Sequence, residues 1–383
     1  MNSPDLKSKL PDIGTSIFSV MSAMAQKHEA INLSQGFPDF EVSPELIDRV
    51  AHYMKTGHNQ YAPMPGVPAL LDAISQKISV YLSVATNPSE EITVTAGATE
   101  ALYAAISAFV RPGDEVIVLE PAYDSYGPAI RLQGGRPVYV SLRSDTFRPD
   151  WEAIERACTD RTAMMVINTP HNPTGSVWEP EDILRLEKLA ERHNLIILSD
   201  EVYEHIVFDG KKQVSVLNSP SLRARSVAVF SFGKTFHATG WKVGYAVAPP
   251  ALTRELRKMH QYLTFAVNRP VQHALADYLQ EPANYMHVSD MYEEKRNYFA
   301  EKMKATSFKP MPCQGTYFAV YSYEGLSDKP EREMAEWLTK EIGVATIPLS
   351  PFFHDNKNSH MLRFCFAKTE QTLAQAAERL CRI

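Results

Sequence analysis

The chain has 383 residues, a formal net charge of −6, 44% hydrophobic and 22% charged residues. That length is comfortable for two domains with an enzyme-sized core. The mild acidity argues against a general nucleic-acid or anionic-membrane surface, so an anionic ligand must be met by locally gathered positive groups.

The first residues, MNSPDLKSKLPDIG, lack the apolar stretch of a secretory signal. Residues 1–45 are too few to fold alone and are expected to pack on the C-terminal part or on a partner subunit. The middle of the chain alternates short apolar runs with helical patterns. Strands are expected at 91–96, 114–120, 136–142, 163–168, 195–200, 226–232 and 244–249, each rich in Val and Ile as for strands buried on both faces. Helices are expected at 101–110 and 179–193, with Pro180 near the start of the second. This alternation predicts an α/β fold with a mostly parallel seven-stranded sheet over residues 46–280. From 281 to 383 the order changes: a long charged helix, GTYFAVYSYE, another helix, MLRFCFAK and a last helix. That pattern predicts a smaller α+β domain completed by the N-terminal segment. No apolar run approaches the length that spans a bilayer.

Five segments carry candidate chemistry. TVTAGATEAL (93–102) runs from a strand through Ala98 and Thr99 into a helix, where exposed N–H groups and the helix dipole favour an anion such as phosphate; a plain turn capped by Thr99 fits as well. INTPHNPTG (167–175) is a loop forced by prolines that offers the Asn172 amide, and His171 there reads as a loop residue rather than a catalyst. LIILSDEVYEHIVF (195–208) delivers Asp200 at the C-terminal end of a strand, where open α/β sheets bind ligands. A carboxylate there suits a protonated heterocyclic nitrogen, and Tyr203 can donate to a ring oxygen; a helix cap is the plainer alternative for Asp200. SFGKTF (231–236) puts Lys234 after a buried strand, beside Ser231. Imine chemistry needs such a lysine with a depressed pKa, whereas a solvated turn lysine does not. MLRFCFAK (361–368) sets Arg363 opposite Leu362 and Phe364, suited to two-pronged binding of a carboxylate or to a structural ion pair. The cysteines 158, 313, 365 and 381 are scattered, which argues against zinc or a disulfide framework and fits reduced thiols in a cytoplasmic protein.

Together these segments resemble the class I/II aminotransferases of the pyridoxal 5'-phosphate (PLP) fold type I, over nearly the whole chain. The flanking INLSQGFPDF, NQYAPMPG, EPAYDSY, TGWKVGY and QGTYF are similar to the kynurenine/glutamine aminotransferase branch. The resemblance implies a homodimer with shared active sites that moves amino groups between amino acids and 2-oxo acids. It implies Lys234 as the covalent attachment point and proton carrier, Asp200 on the pyridine nitrogen, and Tyr203 and Asn172 on the ring oxygen. It implies Tyr123 stacked on the ring, and Ser231, Lys242 and the Ala98–Thr99 amides on the phosphate. Many relatives have arginine at the position of Lys242, so a point charge replaces a fork here. Arg363, helped by Gly36 and Asn172, would take the substrate carboxylate, and Tyr61 would reach the phosphate of the neighbouring subunit. Phe18, where branch members often have tryptophan, would border the side-chain pocket, and Arg269 is expected at a rim. No metal is implied. The donors implied are methionine and aromatic amino acids; the alternative is kynurenine or glutamine transamination with cysteine-conjugate β-lyase activity. A regulatory module would need a winged-helix segment for which 383 residues leave little room, and a degenerate scaffold would lack Lys234, Asp200 or Arg363.

Overall fold

The computed structural model describes residues 6–383. In chain order its strands are β1 (Ile31–Asn32), β2 (Ile92–Thr95), β3 (Glu115–Glu120), β4 (Arg136–Ser141), β5 (Thr162–Asn168), β6 (Ile196–Asp200), β7 (Ser226–Ser231), β8 (Gly244–Val247), β9 (Lys309–Pro310), β10 (Phe318–Ser322), β11 (Val344–Ala345), β12 (Ile347–Pro348) and β13 (Met361–Cys365). Seven of them form one sheet in the order β2-β8-β7-β6-β5-β3-β4. All its pairings are parallel except those of β8, which runs antiparallel to both β2 and β7.

The apolar runs explain this sheet. In β3, Val116 and Val118 pack into one core while Ile117 and Leu119 pack into a second. Successive side chains point to opposite faces, so a strand covered on both sides must be apolar throughout. Helix Ala98–Phe109 and helix Pro250–Leu263 lie against each other over one face. Helix Pro180–Arg192 begins with proline at its first position, preceded by a reciprocal Glu179–Asp182 capping box.

The described N-terminal segment meets the C-terminal part of the chain. β1 pairs in parallel with β11, and helix Ile17–Lys27 packs on β11 and β12. A four-stranded antiparallel sheet, β12-β13-β10-β9, lies next to helices Val288–Met303 and Glu370–Leu380, which pack on each other. The strand expected over GTYFAVYSYE is shorter than its apolar run: it starts at Phe318, because Thr316 takes a positive φ of 62° that breaks the ladder. No described helix is long and apolar enough to cross a membrane.

Candidate active site

Parallel register gathers polar side chains at one edge of the large sheet. Asn168 at the end of β5 pairs with Asp200 at the end of β6, Asp200 pairs with Val229, and β7 ends two residues further on at Ser231. A cavity of about 310 Å³ opens at this edge and extends to Gly36 and Arg363 from the other end of the chain. This is where ligands bind in open α/β sheets.

One end of the cavity is built for an anion. Gly97 caps helix Ala98–Phe109 with φ 77°, and the first-turn N–H groups of Ala98 and Thr99 have no intrahelical carbonyl to reach. Lys242, itself at φ 55°, brings its amine here: a Cβ on Gly97 would lie 3.4 Å from Lys242 Nζ. Gly244 leaves room for this approach, since a Cβ on it would sit 2.9 Å from Ala98 N and 2.6 Å from Phe230 O. Helix dipole, free amides, a cation and Ser231 thus converge. Thr99 is not the helix cap, and Asp200 is followed by turns rather than by a helix, so the plainer readings of both fail.

Deeper in, Asp200 Oδ2 accepts a hydrogen bond from Tyr126 Oη at 2.6 Å, and Oδ1 receives only a long one, 3.4 Å, from Val202 N. Burial pushes its pKa up to about 6. Lys234 sits on a single helical turn, Phe232–Thr235, just after β7. Burial, with the cations Arg363 and Lys242 nearby, lowers its pKa to about 8. Its Nζ donates to Tyr317 Oη at 2.8 Å and faces Gly36 O at 3.5 Å.

Arg363 lies in β13 between β10 and β12 and is 1% exposed. Its Nη1 donates to Asn172 Oδ1 (2.7 Å), Nη2 to Ser34 O (3.0 Å), and Nε has no partner. The guanidinium lies 3.8 Å from the Phe318 ring centre, with Phe18 at 5.1 Å and Phe352 at 5.5 Å. Burial lowers its pKa to about 10, and no acidic side chain among the described residues forms an ion pair with it. The alternation of MLRFCFAK does not leave Arg363 and Cys365 on an open face, for both are buried.

The cavity therefore brings together Lys234, Asp200, Tyr203, Ala98, Thr99, Tyr123, Asn172, Ser231, Lys242, Gly36, Arg363 and Phe18. Tyr61 lies elsewhere. It is 80% exposed, packs edge-on against Phe265, and lines a separate cleft with Arg269. His171 is a buried loop residue, held to Thr174 Oγ1 at 2.7 Å. Sequence reasoning missed Asn168, Gln35, Tyr126 and Tyr317.

A family model, Aminotransferase class I and II, matches residues 28–380. The chain belongs to the class I and II aminotransferases. It is 51% identical to a methionine aminotransferase of Escherichia coli over 98% of this chain and 97% of the relative. It is 33% identical to a kynurenine–oxoglutarate transaminase of Dictyostelium discoideum over 97% and 94%. A solved structure from Escherichia coli, described with a methionine aminotransferase function, matches with TM-score 0.97 at 50% identity and covers 100% of both chains. The family depends on PLP, so this aminotransferase is a PLP enzyme of amino and 2-oxo acids. Its residues fit that cofactor: an anion cradle, a buried carboxylate short of a cation, and an amine of depressed pKa share one cavity.

Proposed function

We propose that this aminotransferase takes methionine as its preferred amino donor, accepts aromatic amino acids, and passes the amine to a 2-oxo acid. The observation that carries the carboxylate end is Arg363. A buried guanidinium that pairs with no acid is costly unless a ligand anion completes it, and Asn172 and the Gly36 segment hold it towards the cavity. Phe18 and Phe318 give the adjoining wall an apolar, aromatic surface, which suits a thioether or an aromatic side chain.

When bound, PLP supplies an electron sink for the bond broken at the substrate α-carbon. The amides of Ala98 and Thr99, with Ser231 and Lys242, would hold its phosphate. Asp200 would keep the ring nitrogen protonated, its carboxylate oriented by the hydrogen bond from Tyr126 Oη. Tyr203 and Asn172 would serve the ring oxygen, and Tyr123 would cover a ring face. Lys234 would anchor the cofactor, and its freed Nζ would be the base that takes the proton from the substrate α-carbon and the acid that delivers it to the cofactor's C4′ carbon. The depressed pKa suits it to both tasks at neutral pH.

The same proposal divides the chain into residues 46–280 and a smaller unit of 1–45 with 281–383. It makes the active form a homodimer in which the exposed Tyr61 reaches the partner's phosphate site. It locates the enzyme in the cytoplasm, consistent with four free cysteines. A second reading, kynurenine or glutamine transamination with β-lyase activity, is favoured by the kynurenine–oxoglutarate relative. Both start with the same proton removal. The test is a screen of twenty amino acids against several 2-oxo acids, read by oxo-acid production. Methionine should give the highest kcat/KM; kynurenine exceeding it would favour the second reading.

A further inference from the structure

We propose that Tyr317 is a positioning residue that receives the Lys234 amine whenever it is not bonded to the cofactor and holds it with its lone pair free to accept a proton. This rests on the reading of Lys234 as anchor and proton carrier.

Tyr317 Oη donates to Gly36 O at 2.6 Å, which commits its only proton, so the phenol oxygen offers lone pairs to Lys234 Nζ at 2.8 Å. Gly36 O lies 3.5 Å from the same Nζ. A neutral amine has two N–H donors and one lone pair. With both donors directed at these two oxygens, the lone pair is the part left to face the cavity. Burial keeps the phenol protonated, so the arrangement stays one of acceptor and donor.

Two features show that the chain is shaped around this contact. Thr316, fully buried and β-branched, holds φ 62°, a region such residues rarely occupy. Its N–H donates to Ile206 O and its Oγ1 accepts from Phe318 N. That turn precedes the start of β10 at Phe318; Tyr317 O still accepts from Phe366 N of the neighbouring segment, while its Oη meets Lys234 Nζ and its ring is set edge-on against Tyr203 at 5.2 Å. Gly36 must lack a Cβ, since one would come within 2.7 Å of the Phe318 ring. The carbonyl therefore reaches Tyr317 only because glycine stands there.

The test is Tyr317→Phe, measured in two forms of the protein. In the apoprotein, trace acylation of Lys234 followed by mass spectrometry against pH reports the amine's titration. A phenol oxygen accepting from the amine favours the ammonium form, so its loss should move the midpoint to lower pH. Arg363, Lys242, Asp200 and Cys365, which also face Lys234, are unchanged by the substitution. In the holoenzyme, single turnover with α-deuterated donor should become roughly 10- to 100-fold slower with a larger isotope effect and little change in KM. An unmoved titration midpoint together with an unchanged proton-transfer rate would overturn the proposal. Lys234→Ala run in parallel separates the two levels: retained turnover there would remove the reading of Lys234 and this proposal with it. If Tyr317→Phe does not fold, 3-fluorotyrosine in place of Tyr317 weakens the acceptor without changing the packing. A several-fold slower proton transfer then supports the role, and an unchanged rate refutes it.

Discussion

The short segment Asp200–His205 feeds two buried charge clusters of opposite character. In one, Glu204 is in contact with Lys77, which also donates to Tyr245 Oη at 3.0 Å and lies over the rings of Phe230 and Tyr245. Neighbouring Glu201 takes hydrogen bonds from Ser199 and Val216. In the other, Asp200 and Arg363 are as deeply buried and Lys234 is partly buried, yet none forms an ion pair with another residue among those described. A buried charge is tolerated when its partner is built in. The first cluster closes on itself; the second is left open, as a site for charged ligands would be.

The largest expected effect breaks the open cluster. Lys234→Ala should remove the visible absorbance of the bound cofactor and lower turnover on the order of 10⁴-fold or more. Thermal melting of the apoprotein should stay the same or rise, because a desolvated amine is removed. Absorbance spectra and melting curves on one preparation decide the matter, and retained turnover would end the assignment of Lys234.

The closed cluster should respond the other way. Lys77→Ala strands the Glu204 carboxylate in the core and should cost about 3–5 kcal/mol of stability. Because neither Lys77 nor Glu204 lines the cavity, kcat and KM of the folded fraction should change little. Denaturant unfolding and active-site-normalised kinetics test this. Lost turnover with unchanged stability would show that the two clusters act as one.

The contrast also bears on what was legible in the sequence. The strands of the large sheet stood out because burial on both faces makes them continuously apolar, and their ends differ from expectation by at most two residues. The reversal of β8 did not stand out, since GYAVAP is apolar in either direction. It follows from the connection between Ser231 and Gly244, which holds only the turns Phe232–Thr235 and Thr239–Trp241 and no crossover helix. Asp200, Lys234 and Arg363 were legible because charged residues in or beside apolar strands need a reason. Tyr126 and Tyr317 were not. Each is an aromatic among aromatics, and what singles it out is a contact across the fold: Tyr126 to Asp200, and Tyr317 to Lys234 through the turn at Thr316. The Lys77–Glu204 pair was likewise silent, for 127 positions separate its members.

A smaller effect sharpens the idea of a charge left open. Folded Asp200 keeps its proton up to about pH 6, whereas an unfolded aspartate ionises near pH 4. Between these values the folded apoprotein binds more protons than the unfolded chain. The stabilising contribution is therefore complete below about pH 4 and is lost as pH rises through 6. Asp200→Asn removes that dependence. The apoprotein carrying it should match the native apoprotein at pH 4 and exceed it by roughly 2–3 kcal/mol at pH 7, while transamination is lost. If Asp200 takes the proposed place beside the ring nitrogen, PLP would give the native carboxylate a cationic partner and the advantage of asparagine should vanish. Melting temperatures of both proteins across pH 4–8, with and without PLP, check the sign. A gap independent of pH would mean that Asp200 is not held protonated by burial.

Arg363→Lys should give the smallest of these effects, because it keeps the charge and alters only its shape. The guanidinium divides its donors among Asn172, Ser34 O and a free Nε while its plane lies on Phe318. A lysine ammonium cannot hold that division, since it is a point charge without a planar fork and stacks poorly on a ring. The substrate carboxylate should then be bound with one strong contact in place of two, a loss of about 1.5–3 kcal/mol that is read as a higher KM for every donor. With Lys234 as the proposed proton carrier, kcat should fall much less than kcat/KM. If kcat falls instead while KM holds, Arg363 acts on the transition state rather than on the carboxylate, and the opening of this cluster serves the proton carrier more than the substrate.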